Sequence, residues 1–127
     1  MNMHTSAPGT AEDEAAALLD RWEAAAVKCE HARDKADRAD TDRRLTFDLL
    51  VDELIESARA KGDKLPISSA ERAVSTSDRY QALTDTAHRL KLEAGLARIA
   101  ERKAHHQHEA AVRRTHSERQ ERRMYGR

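Results

Sequence analysis

The residues of this sequence best suited to chemistry are histidines gathered near the C-terminus. His105, His106 and His108 are followed by Glu109 and His116. His105 is three residues from His108 and four from Glu109, and these steps place side chains on one face of a helix, where they could bind zinc or nickel. A zinc site normally draws ligands from more than one element, and neither a cysteine nor a second ligand pair accompanies this cluster. We therefore expect solvated histidines, with no metal and no other cofactor.

A second candidate site is the arginine-rich stretch Arg113–Arg127, which we call the C-terminal arginine segment. Such a segment could contact phosphates of DNA or RNA, and Tyr125 could stack on a base. The alternative is a solvated helix end, whose arginines lie at the negative pole of the helix dipole and pair with acidic residues of the N-terminal half. The residues that we assign to nucleic-acid binding are Arg113, Arg114, Arg119, Arg122 and Arg123.

The sequence contains none of the patterns that typically carry catalysis. It has no phosphate-binding glycine loop, no nucleophile elbow and no His-Glu-x-x-His motif. Neighbouring acids such as Asp52 and Glu53 lie in a stretch dense with charges, and a solvated helix face explains them. We predict a protein that is not an enzyme.

The composition favours an elongated helical protein. Of the 127 residues, 39% are hydrophobic, 36% are charged and 3% are aromatic. Alanine, the commonest apolar residue, buries little surface, and this mixture is typical of coiled coils. The net charge is zero, yet residues 1–61 hold 14 acids and 9 bases, whereas residues 62–127 hold 9 acids and 14 bases. In an antiparallel hairpin the acidic arm would lie along the basic arm.

Other features of the chain bear on its location. Cys29 is the only cysteine, which excludes an intrachain disulfide, and we expect a buried thiol. No segment approaches the roughly 18 apolar residues of a membrane span. Residues 1–9 lack the charged start and apolar run of a signal peptide. We expect a soluble, cytoplasmic protein that does not bind membranes.

Glycine and proline divide the chain into segments. Gly62 can adopt the left-handed conformation that ends a helix, and Pro66 cannot continue one. Thr10 is a suitable cap for the first long helix, and Ser77 for the last. Ser68 or Ser69 would cap a short helix over residues 70–74. The predicted organisation is a flexible tail over 1–9 and one helical-hairpin domain over 10–127, with helix 11–61, a loop and short helix within 62–76, and helix 77–124.

Both predicted long helices carry small apolar residues at alternating steps of three and four, the pattern of a coiled-coil seam. The sequence therefore predicts an all-α fold, a long antiparallel helical hairpin. Because alanine provides a weak hydrophobic drive, we expect two hairpins to associate as a homo-oligomer. The residues predicted to be buried at that interface are Leu18, Trp22, Phe47 and Tyr80.

The second half of the chain, residues 69–123, resembles a group of small helical proteins encoded by tailed bacteriophages, often near recombination and single-strand-annealing genes. The motifs that carry the resemblance are Ser69 with Arg72, Ser77-Asp78-Arg79-Tyr80, Glu93-Ala94-Gly95-Leu96, and the basic run Arg113–Arg119. The resemblance implies a phage origin, which places the protein in the host cytoplasm, and an accessory role near DNA metabolism. It brings no catalytic residues.

Two functional hypotheses follow. The first is a phage-encoded accessory protein that binds a protein partner, such as a recombinase or single-strand-binding protein, and touches nucleic acid with its basic tail. The second is a structural or regulatory coiled coil, such as an assembly factor or an inhibitor of a host protein, with no nucleic-acid binding.

Overall fold

The computed structural model describes residues 10–125, and the predicted tail over 1–9 lies outside them. The described chain contains three helices and no strand: α1 spans Ala11–Ala60, α2 spans Ile67–Ser75 and α3 spans Asp78–Tyr125. The all-α prediction, with two long helices and a short one between them, is confirmed.

The beginning of α1 is fixed by a reciprocal pair of hydrogen bonds. The backbone N–H of Asp13 donates to Thr10 Oγ1 at 3.1 Å, and the backbone N–H of Thr10 donates to Asp13 Oδ2 at 3.2 Å. This arrangement satisfies amide donors that a helix start otherwise leaves without partners. The predicted cap at Thr10 is confirmed.

The end of α1 is a Schellman motif built around Gly62. The backbone N–H of Asp63 donates to the Ala58 carbonyl at 2.9 Å, and that of Gly62 donates to the Arg59 carbonyl at 3.0 Å. Gly62 has a φ of 80°, which a residue with a side chain adopts only with strain. The left-handed conformation predicted for Gly62 is therefore confirmed, and α1 ends at Ala60, one residue before the predicted boundary.

The second helix begins earlier than predicted. Pro66 is its N-cap residue, no side chain caps it, and the backbone N–H groups of Ser69 and Ala70 donate to the Pro66 carbonyl. The prediction that Ser68 or Ser69 caps this helix is wrong, because proline, whose φ is fixed near the helical value, starts the helix at Ile67. The prediction for α3 is confirmed at its cap, since the backbone N–H of Tyr80 donates to Ser77 Oγ at 3.3 Å.

The chain divides into two compact units. The first consists of Met1–Glu30 with Leu96–Arg127. Within its described residues the two long helices are antiparallel, because Glu12 contacts Arg119 whereas Trp22, further along α1, contacts His105. Cys29 and Ala111 are buried in this unit, which confirms the buried thiol.

The second unit is His31–Gly95 and contains all of α2. Its core is formed by Val51, Ala70 and Val74, which are 7%, 0% and 2% exposed. The larger residues packed against this core are Phe47, Leu50, Ile55, Leu65 and Tyr80. Here α2 supplies a third surface against which the two long helices bury apolar side chains.

Candidate nucleic-acid interface

Two of the five arginines predicted to bind nucleic acid form ion pairs with the first turn of α1. Arg114 Nη2 donates to Glu14 Oε1 at 2.5 Å, and Arg119 Nη2 donates to Glu12 Oε1 at 3.3 Å. All four side chains are between 51% and 61% exposed. Exposed pairs of this kind contribute at most about 1 kcal/mol each. Acidic and basic arms therefore do pair in the first unit, as the uneven charge distribution suggested.

The other three arginines are open to solvent. Arg113, Arg122 and Arg123 are exposed and make no ion pair with any residue that the structure describes. Close to Arg122 and Arg123 the side chain of Tyr125 is 81% exposed, and a shallow surface depression is lined by Arg122, Tyr125 and two glutamates of the same segment. Cationic groups around an exposed ring suit a ligand that runs along the surface, such as a nucleic-acid strand.

A threonine joins the arginine segment to the start of α1. Thr115 Oγ1 donates to the Ala111 carbonyl at 3.1 Å and lies 3.5 Å from the carbonyl oxygen of Ala11. A narrow cleft beside it is lined by Thr10, Glu12 and Arg119, among others. The first turn of α1 is thus held against the last third of α3 by polar contacts as well as by charge.

The histidine cluster packs against Trp22. The ring centroids of Trp22 and His105 are 4.3 Å apart, and those of Trp22 and His108 are 5.6 Å apart. Glu109 Oε1 lies 3.5 Å from His106 Nδ1 and 3.8 Å from His105 Nδ1. Within residues 10–125 no group of three or more candidate ligands could hold a metal ion. In this arrangement His105 and His108 are packing groups for an aromatic side chain.

Glu101 is a structurally important residue that the sequence did not reveal. In the sequence it stands four residues after Ala97 and three before Ala104, where the apolar spacing would place another small residue. Its Oε2 accepts a hydrogen bond from Trp22 Nε1 at 2.8 Å. A half-buried indole needs an acceptor for its N–H, and an acidic residue at a seam position of the opposite helix is the signal that could have identified one.

The four residues predicted to lie at an oligomer interface have packing positions within the chain. Leu18 and Trp22 are half-buried in the first unit. In the second unit the rings of Phe47 and Tyr80 lie 5.1 Å apart, and both pack against the Val51–Ala70–Val74 core. Burial of these side chains by a second chain stays a prediction.

A polar network centred on Arg43 is a second feature that the sequence did not reveal. Arg43 Nη1 donates to Tyr80 Oη at 2.7 Å, and Arg43 Nη2 donates to Asp40 Oδ1 at 2.7 Å. The hydrogen bond from Arg43 is the main cause that lowers the pKa of the Asp40 carboxyl, and the positive charges of Arg44 and Lys91 act in the same direction. The network ties α1 to α3 at Arg43, which stands between Ala39 and Phe47 and interrupts the apolar spacing of α1.

Comparisons of the chain with family models, with curated proteins and with solved structures found no match. No helix within residues 10–125 has both the length and the apolar character needed to cross a membrane. The fold and the site define an all-α protein of two long helices with an arginine-rich helix end.

Proposed function

We propose that this protein is a non-enzymatic accessory protein that acts by binding another protein and contacts nucleic acid with the C-terminal end of α3. The observation that carries the nucleic-acid contact is the exposure of Arg122 and Arg123 beside Tyr125, and of Arg113 further back on the same helix, with no ion pair among the described residues. Guanidinium groups form bidentate hydrogen bonds with phosphate oxygens, and an exposed tyrosine ring offers a stacking surface for a base.

The number of arginines limits the expected strength of binding. Each phosphate that the protein neutralises steepens the slope of the logarithm of the binding constant against the logarithm of the salt concentration. The contribution is about 0.7 for a single strand and about 0.9 for a duplex. Three to five such contacts give weak, salt-sensitive and sequence-independent binding. The net charge of zero on the whole chain also keeps the binding weak, because there is no overall attraction to the phosphates. This strength suits an accessory role in which a protein partner supplies much of the affinity.

The proposed setting is DNA recombination or replication in a phage-infected cell. Its support is the resemblance of residues 69–123 to small helical phage proteins, whose carriers include the basic run Arg113–Arg119. The corresponding protein partner is a recombinase or a single-strand-binding protein.

The nucleic-acid contact can be tested by fluorescence anisotropy with labelled single-stranded and double-stranded oligonucleotides at low salt. We expect binding that weakens as salt is raised, is lost when the chain is truncated after Ala111, and is reduced several-fold by Arg122→Gln with Arg123→Gln. The point variants are needed because truncation also removes the contacts that Arg114 and Thr115 make with α1.

A matched control is Arg72→Gln with Arg79→Gln, which removes the same charge from exposed positions in the second unit. An equal loss of binding in this control would show attraction by net charge rather than a site on α3. No binding by the wild-type chain at low salt would rule out the nucleic-acid contact.

The second candidate function is a structural or regulatory coiled coil, such as an assembly factor or an inhibitor of a host protein. The observation that favours it is a pair of exposed leucines one turn apart on α1, Leu45 at 63% and Leu49 at 53% exposed. A purely protein-binding role would leave the anisotropy of every oligonucleotide unchanged, which separates it from the first proposal.

A further inference from the structure

The arginine segment already holds two carboxylates of its own chain. Arg114 is bound by Glu14 and Arg119 by Glu12, both from the first turn of α1. A carboxylate presents to a guanidinium group the same kind of charged oxygen that a phosphate presents. Glu12 and Glu14 therefore occupy positions at which these two arginines could bind phosphate.

The turn that carries these carboxylates is fixed in place. Thr10 and Asp13 cap it through two backbone hydrogen bonds, and the Ala11 carbonyl lies 3.5 Å from Thr115 Oγ1. An ordered backbone keeps the two carboxylates beside the arginines, which gives them a high effective concentration there. The pairs are nevertheless exposed, so each is weak and is screened by salt.

A ligand with a single phosphate gains little by replacing one such pair. A chain of closely spaced phosphates can replace both at once and gains the exposed arginines as well. We infer that Glu12 and Glu14 are internal competitors that nucleic-acid phosphates must displace from Arg114 and Arg119, and that they set the affinity and the salt range of the site. This inference rests on the proposed nucleic-acid contact.

The test is the double variant Glu12→Gln with Glu14→Gln, measured with a fluorescein-labelled single-stranded DNA oligonucleotide. Both changes conserve side-chain shape, and the cap formed by Thr10 and Asp13 is retained. We expect binding about three- to tenfold tighter than wild type, since two exposed ion pairs no longer have to be broken. The slope of the logarithm of the binding constant against that of the salt concentration should steepen by up to about 1.4, which is two single-strand phosphate contacts. In the wild type these two contacts release fewer ions on balance, because each displaced carboxylate takes up a cation.

Two controls separate displacement from general electrostatics. Asp20→Asn with Glu23→Gln makes the same change in net charge on the same helix, at exposed positions with no ion pair among the described residues. It should tighten binding much less than the first-turn variant. In a background of Arg114→Gln with Arg119→Gln, the gain from removing Glu12 and Glu14 should disappear. Circular dichroism of each variant checks that the helices are retained.

The outcomes distinguish the inference from the function on which it rests. Equal tightening in the two acidic-residue variants, or a gain that persists without Arg114 and Arg119, would overturn the displacement while leaving the nucleic-acid contact in place. Absence of binding by the wild type and by every variant at low salt would overturn both.

Discussion

At the scale of single residues, Trp22 illustrates how α3 accommodates a large side chain in a seam of small ones. Its indole N–H donates to Glu101, and its ring lies against His105 and His108. Two imidazoles and a carboxylate of α3 thus contact the indole of Trp22. This explains why a histidine cluster with metal-like spacing is present in a helix whose described residues form no metal site.

We predict that Trp22→Ala lowers the free energy of unfolding by about 2 kcal/mol, less than for a fully buried tryptophan because Trp22 is only half-buried. Trp22→Phe retains the ring contacts and loses the hydrogen bond to Glu101, so its cost should be about 1 kcal/mol. Urea denaturation followed by circular dichroism measures both. Val27→Ala, at a 55% exposed position of the same helix, is the control. If Trp22→Ala cost no more than this control, the contacts with α3 would not stabilise the fold.

At the scale of elements, the helix boundaries follow from local chemistry. Thr10 with Asp13 begins α1, Gly62 ends it, and Ser77 begins α3, all as the sequence indicated. The exception is α2, whose predicted span of residues 70–74 proved too short. Ser68 and Ser69 were expected to cap the helix, but Pro66, further toward the N-terminus, also has a backbone suited to a helix start. The sequence pattern alone does not show which of two possible starts the chain adopts.

The two described glycines lead to opposite predictions. Gly62→Ala should destabilise the protein by about 1 kcal/mol, because an alanine at a φ of 80° is strained. Gly95→Ala should stabilise it by up to about 1 kcal/mol, because Gly95 lies inside α3 and an added Cβ would meet nothing within 4 Å. Thermal and urea denaturation of both variants test this pair. An increase in stability from Gly62→Ala would contradict the left-handed backbone at Gly62. A decrease in stability from Gly95→Ala would contradict the open helical position of Gly95.

At the scale of the whole molecule, the buried apolar surface consists mostly of small residues. The buried hydrophobic residues of the described chain are Cys29, Ala36, Val51, Ala70, Val74, Ala87 and Ala111. Among the described residues no large side chain is fully buried, whereas leucines such as Leu92 and Leu96 are 67% and 59% exposed. Each buried alanine contributes little hydrophobic free energy, so association with a second chain would add stability that the small seam residues do not provide.

We therefore predict that the chain self-associates. Sedimentation equilibrium over a range of micromolar concentrations should give a mass above the 14.3 kDa of one chain, rising with concentration. The temperature of unfolding should rise over the same range, because association stabilises only the folded chain. A mass of one chain at every concentration would contradict this prediction and would leave a different protein as the partner.

The sequence by itself determined the helical class, the two long helices and most of their caps. These depend on residues within a few positions of one another, so spacing and side-chain chemistry suffice to predict them. It also indicated that acidic and basic arms could pair, but it could not say which residues would do so.

Only the tertiary structure decided which arginines are paired and which are open. Arg114 and Glu14 are 100 positions apart, and Trp22 and Glu101 are 79 apart. Contacts over such separations depend on the register of one long helix against another, and in a seam of repeated small residues several registers satisfy the same pattern. Large side chains and charge pairs, such as Trp22 with Glu101 and Arg114 with Glu14, distinguish among those registers because each fits only one of them.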